Sequence, residues 1–229
     1  LLPFISIMKE KEMLTKYSHQ TCYRAFQDFI SNAGGEEVYM NALKEFALKL
    51  YKSTSDEKHI YFLDKTPRYY RIIPEILEIF PNAKYIFLFR NPLSIYSSML
   101  RTWSENRYLG FHKHYSDLFI GPKCLAEGYE LLAKKSLKLN YESLVINKEN
   151  EVEKLADYLE IDFNDFNLRQ FKSQNLNGKM GDKRGINEYS NISDKSLDKW
   201  KSTFNNKFRK KLAKRYINFL NDDYLRLTN

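Results

Sequence analysis

The chain has 229 residues, enough for one α/β domain with a substantial core, and a composition 43% hydrophobic and 15% aromatic excludes an intrinsically disordered chain. A formal net charge of +8 points to anionic partners such as nucleotides, nucleic acid or acidic polymers. No run of 18 apolar residues is present to span a membrane, and no signal peptide is visible.

In chain order, Cys22, Phe26, Phe29 and Ile30, then Val38, Leu43, Phe46 and Leu50, recur at helical spacing on either side of Gly34-Gly35. Two helices over 20–51 are predicted. "HIYFLDKTP" (59–67) predicts a short strand stopped by Pro67, and "RYYRIIPEILEIF" (68–80) a helix with Pro74 in its first turn or at a kink. "AKYIFLF" (83–89) is a continuous apolar run of the kind buried on both faces of a parallel sheet. A helix is predicted from about Pro92 to Ser104, an aromatic-rich loop over 108–121, and a helix near 123–134. "SLKLNYESL" (136–144) predicts a third strand. "EVEKLADYL" belongs to a helix over 149–160 that continues through "FNDFNLRQF". A polar, glycine-containing surface loop is predicted over 173–193, then two helices around Trp200 within 194–221. Strands alternating with helices predict a three-layer α/β fold, a parallel sheet flanked by helices, in a single domain over 1–229.

Cys22 and Cys124 lie far apart without CxxC spacing, and they read as reduced thiols of a reducing, cytoplasmic compartment. His19, His59, His112 and His114 are scattered, and no metal is expected. The basic run "FRKKLAKR" (208–215) falls in a helical pattern with Phe208, Leu212, Ile217 and Leu220, and reads as a solvated helix face. No nucleic-acid-binding signature accompanies it.

In open α/β sheets, ligands bind outside the carboxyl ends of the strands. Three such ends are polar here: Asp64-Lys65-Thr66-Pro67, Arg90-Asn91-Pro92 and Asn140-Tyr141-Glu142. Taken alone, Arg90 reads as a surface ion pair and Ser98 as a small residue at a packing seam. Three polar ends in one sheet instead predict a pocket. Pro92 suits the first position of a helix, whose N-terminus is expected to offer amides and partial positive charge to an anion. Ser98 follows Arg90 by eight residues, so its hydroxyl is expected to face the same mouth. A guanidinium fork with a hydroxyl makes a phosphate clamp.

The stretch "LDKTPRYYRIIPEILEIFPNAKYIFLFRNPLSIYSSML" (63–100) resembles the central region of sulfotransferases that use 3′-phosphoadenosine 5′-phosphosulfate, of the bacterial carbohydrate- and tyrosylprotein-modifying kind. In that family a strand ending in Arg-Asp-Pro or Arg-Asn-Pro, with serine eight residues on, holds the 3′-phosphate. The resemblance therefore implies that Arg90 and Ser98 bind it. "LNYESLVINKENEVEKLADYLEID" (139–162) is similar to the family's "YEDL" strand end and following helix, implying that Tyr141 contacts the adenosine part. "GDKRGINEYSNISDKSLDKW" (181–200) resembles the late cofactor-covering loop, implying Ser190 and Lys199 as further cofactor contacts.

The resemblance spans roughly 59–205 and implies a P-loop-like sheet, the phosphosulfate donor, no metal, and a hydroxyl (less readily an amine) acceptor. Lys65 is the implied catalytic cation for the sulfuryl or bridging oxygens; its plain alternative is a surface lysine paired with Asp64. The aromatic stretch from Tyr108 to Phe119, with Arg107, His112, Lys113 and His114, fits a carbohydrate acceptor or simple lid packing. The family's first strand leads into a glycine- and serine/threonine-rich loop for the 5′-phosphosulfate, and no such loop is present in these residues. That strand, the loop and the base are expected upstream of Leu1. A P-loop small-molecule kinase and a basic nucleic-acid-binding protein stay open as alternatives. The first lacks a visible Walker lysine motif, and the second leaves three polar strand ends idle.

Overall fold

A computed structural model describes residues 19–55, 59–103, 114–132, 135–165, 194 and 197–228. The backbone groups into two compact units, 1–83 and 84–229, each taken by itself below.

The first unit opens with α1 (His19–Asn32) and α2 (Glu36–Thr54). Gly34 and Gly35 both take positive φ, 99° and 97°, a region that disfavours side chains, so the predicted break between the helices falls where glycine is required. Met40 and Leu43 of α2 bury against Ile72 and Ile79, with Phe26, Tyr39, Tyr69, Ile76 and Phe80 packed around them. The helix expected over 68–80 is split. A 3₁₀ turn covers Tyr69–Arg71, and α3 (Ile73–Ile79) carries Pro74 in its first turn. Proline has no N–H and its ring clashes with the preceding turn, so an α-helix starts there but does not run through it.

The strand expected over 59–63 does not form. Ile60 and Leu63 are each 80% exposed, and Phe62 stacks on the Tyr51 ring with centroids 4.2 Å apart. An apolar run becomes a strand only when a ladder partner takes its amides and carbonyls. This segment is instead attached to α2 through side chains.

The second unit is built on two parallel strands, β1 (Tyr85–Phe89) and β2 (Ser136–Asn140), paired in register from Tyr85 with Ser136 to Phe89 with Asn140. Their starts are joined by one phenol: Tyr85 N–H donates to Tyr158 (2.8 Å), whose hydroxyl donates to the Lys135 carbonyl (2.9 Å). Between the strands run α4 (Pro92–Trp103), a π-helical turn (Ser116–Ile120) and α5 (Gly121–Leu132). Phe87 and Phe89 are buried, edge-on to Tyr129 of α5 at 5.6 and 5.7 Å. Leu88, on the opposite face, is 50% exposed, so among the described residues of this unit β1 is covered on one face, where burial on both was expected.

β2 ends at Asn140 instead of running to 144. From Tyr141 the chain is helical, α6 (Tyr141–Ile146), with Glu142 favourably placed in its first turn, followed by α7 (Lys148–Leu159). Of the expected extension past 160, the described residues show a 3₁₀ turn at Phe163–Asp165; its remainder and the predicted 173–193 loop lie outside the described residues. Within 194–221 the two expected helices form, α8 (Lys199–Thr203) and α9 (Lys207–Phe219), and a further helix, α10 (Asp222–Leu227), follows them. Asn206 and Asn221 make the breaks, each accepting N–H groups of the helix that follows. Tyr96 of α4 packs on Phe204 (5.3 Å) and Tyr216 (4.9 Å), so α8 and α9 lie on α4.

Candidate functional site

In the second unit, parallel pairing in register brings the ends of β1 and β2 side by side, with Arg90 following one and Tyr141 the other. The Arg90 guanidinium carbon lies 4.2 Å from the centroid of the Tyr141 ring, a cation–π stack. Arg90 is half-buried, and its Nε is buried with no hydrogen-bond partner among the described residues. A buried donor left unsatisfied costs about 1–3 kcal/mol. An arginine held in that state is poised for an anion.

The handover into α4 is organised by Asn91. Its Oδ1 accepts from Leu93 N–H (2.9 Å) and Ser94 N–H (3.3 Å), and its carbonyl accepts from Ile95 N–H (3.1 Å). Pro92 has no N–H. The amides expected to be offered to an anion at this helix N-terminus are therefore already used, and that expectation is corrected. Any anion here relies on side chains.

Ser98 is half-buried on α4, seven residues after Asn91; at about 100° per residue it falls on nearly the same side of the helix as the cap. No hydrogen bond joins it to Arg90. Its neighbour Ser97 is buried and lies 2.6 Å, hydroxyl to hydroxyl, from Thr203 of α8. Lys199 opens α8, half-buried and one turn before Thr203, on the helix that this contact ties to α4. Ser190 lies outside the described residues, as do Arg107, Tyr108, His112 and Lys113.

Lys65 belongs to the first unit. It is exposed and forms no ion pair with Asp64 among the described residues. Asp64 instead accepts hydroxyls from Tyr51 (2.5 Å), Tyr69 (2.6 Å) and Thr66 (3.1 Å). Burial and then the Asp64 hydrogen bond push the Tyr69 phenol up to about 12.

Two residues at the strand-end turn carry roles that their sequence positions did not announce. Glu142 Oε1 accepts the Asn91 N–H (3.0 Å), and Tyr224 of α10 donates its hydroxyl to the Arg90 carbonyl (3.0 Å). Glu142 was legible as a polar strand-end residue, but nothing local pairs it with Asn91. Tyr224 gave no signal at all.

Among the described residues no group of three His, Cys, Asp or Glu is placed to hold a metal ion, and no helix is long and apolar enough to cross a membrane. A recess of about 440 Å³ lies on α8 and α9, lined by Trp200, Lys201, Phe204, Asn205, Lys210 and Ala213. None of the strand-end residues lines it, and Lys201 is paired with Asp198 at 2.8 Å, so the chemistry is better sought at Arg90.

The model of the sulfotransferase family matches residues 5–165, well over half of the chain and including both strand ends. The chain belongs to the sulfotransferase family. Sulfuryl transfer is the chemistry of that family, in agreement with the resemblance carried by 63–100, and the parallel strand pair is compatible with its α/β fold. No curated protein and no solved structure matches the chain.

Proposed function

We propose that this chain, as one sulfotransferase-like domain over 1–229, moves a sulfuryl group from 3′-phosphoadenosine 5′-phosphosulfate to a hydroxyl (less readily an amine) acceptor, with a carbohydrate as one candidate. The observation that carries the proposal is Arg90: a guanidinium stacked on Tyr141 at two adjoining parallel strand ends, with a buried donor that has no hydrogen-bond partner among the described residues. Arginine offers a planar fork that matches a phosphate. The 3′-phosphate is its proposed ligand, with Ser98 adding a hydroxyl and Tyr141 flanking the adenosine.

In the transfer, the acceptor oxygen forms a bond to sulfur while the bond from sulfur to the bridging oxygen breaks. The electron pair leaves on the 5′-phosphate of 3′,5′-adenosine bisphosphate, and the acceptor proton passes to a base. Such a loose, in-line displacement is accelerated mainly by positioning and by charge stabilisation. Lys65 is the proposed cation for the sulfuryl or bridging oxygens, and Lys199 and Ser190 are proposed further donor contacts. Two widely spaced thiols, Cys22 and Cys124, suit a reducing cytoplasm.

A ligand that binds only the folded state stabilises it by mass action, by about 2.7 kcal/mol at a hundred times its Kd, and so raises the unfolding temperature. Thermal unfolding with 3′,5′-adenosine bisphosphate, with ATP and magnesium, and with oligonucleotides therefore separates the candidate classes. Stabilisation by the bisphosphate is expected. Stabilisation only by ATP with magnesium would replace this function with that of a kinase, and a response only to oligonucleotides with nucleic-acid binding.

A further inference from the structure

We infer that Tyr224 and Glu142 are positioning residues for Arg90, which makes the C-terminal helix α10, outside the span that the family model matches, a working part of the candidate site. The inference rests on the proposed role of Arg90. Its basis is one peptide unit. The carbonyl of Arg90 and the N–H of Asn91 belong to the same peptide plane, and each is held by a side chain. Tyr224 grips the oxygen at 3.0 Å, and Glu142 grips the nitrogen at 3.0 Å.

Fixing both ends of a peptide plane fixes ψ of the residue before it and φ of the residue after it. For Arg90 this restricts the direction in which its side chain leaves the backbone. For Asn91 it sets the geometry from which the carboxamide caps α4. The guanidinium then comes to rest on Tyr141, the residue immediately before Glu142. Consecutive residues at the start of α6 thus hold the arginine, one by its charge and one by its backbone.

Tyr224 is built for this task and not merely packed near it. Its side chain is 2% exposed, its ring lies against Phe89 at 5.8 Å, and Asn221 caps the short helix that carries it. Burial raises its phenol well above the ordinary value, so the hydroxyl stays protonated and remains a donor. Glu142 keeps its second oxygen, Oε2, buried with no partner among the described residues. A carboxylate so placed has its retained hydrogen bond directed at the Asn91 amide.

The test is a double-mutant cycle in the full chain. Tyr224→Phe removes the hydroxyl and keeps the ring. Kd values are measured for 3′,5′-adenosine bisphosphate and for AMP, which lacks the 3′-phosphate, in wild type, Tyr224→Phe, Arg90→Ala and the double variant. Loss of one neutral hydrogen bond predicts roughly two- to tenfold weaker bisphosphate binding in Tyr224→Phe, with AMP unchanged. In the Arg90→Ala background the same substitution should add nothing, because its effect passes through the arginine. An equal loss for both ligands, an equal loss in both backgrounds, or no loss would overturn the inference. If Arg90→Ala lowers bisphosphate binding selectively while Tyr224→Phe does not, the positioning role fails and the cofactor reading stands. If Arg90→Ala shows no selective loss, both fall. Should Tyr224→Phe fail to fold, Glu142→Ala reaches the same peptide from α6, and the same cycle and outcomes decide.

Discussion

At the turn after β1, two side chains hold the backbone and leave a guanidinium to work, whereas in 59–66 the backbone has no ladder and the acidic side chain is taken by three hydroxyls. The basic residues differ in the same sense. Arg90 is half-buried and already stacked on a ring; Lys65 is exposed. Ordering an exposed lysine costs up to about 2 kcal/mol of side-chain entropy, a cost that Arg90 has largely met during folding. Affinity for a charged ligand is therefore expected to reside at the β1 turn. Lys65 would act where charge develops during reaction, as a catalytic group and not as an anchor.

The sharpest way to break the comparison is through the packing beneath each region. Phe89→Ala removes a side chain with 0% exposure directly before Arg90, and an unfolding free energy lower by about 3–5 kcal/mol is expected from denaturant titration. A loss below 1 kcal/mol would mean that the turn does not stand on a packed core. Asn91→Ala deletes the cap of α4 and should cost about 0.5–2 kcal/mol, with bisphosphate binding weakened alongside because the turn loses its geometry. Binding that survives while stability drops would separate the cap from the site.

The 59–66 region should respond to alkali. The Tyr69 phenol is pushed up to about 12 from its ordinary value near 10. Between those values the folded state keeps a proton that the unfolded state has released, so stability falls as pH rises through this window. The decline should be shallower in Asp64→Asn, which removes the negative charge that opposes ionisation. Equal slopes would mean that Asp64 does not set the phenol's affinity for its proton. The smallest effect is predicted for Leu63→Ala, a residue 80% exposed: a stability change within about 0.5 kcal/mol. A loss of 2 kcal/mol or more would show this segment to be packed, and the contrast with β1 would collapse.

How far the sequence could be read depended on how local each signal was. The helices flanking Gly34-Gly35, strand β1 and the proline-led start of α4 follow from periodicity and turn chemistry within a dozen residues, and the parallel pairing with β2 was expected only from the alternation of strands with helices. The strand at 59–63 was misjudged because an apolar run does not reveal whether a ladder partner exists. The cap was within reach, since asparagine before proline at a helix start is a recognised signature, yet the amides were expected to remain open for an anion. Arg90 and Tyr141 could be singled out as strand ends. What holds Arg90 could not be: Glu142 meets Asn91 across 51 residues of sequence, and Tyr224 meets Arg90 across 134. No local pattern encodes contacts at those separations.

The central claim is that Arg90 receives the 3′-phosphate, and titration of wild type and Arg90→Ala with 3′,5′-adenosine bisphosphate and with AMP tests it most directly. A charge-assisted hydrogen bond contributes about 1.5–3 kcal/mol, so Arg90→Ala should weaken the bisphosphate roughly ten- to a hundredfold while leaving AMP nearly unchanged. Arg90→Lys should fall between, keeping the charge and losing the fork. Equal losses for the two ligands would contradict the claim and assign Arg90 to the fold or to the 5′ side of the nucleotide.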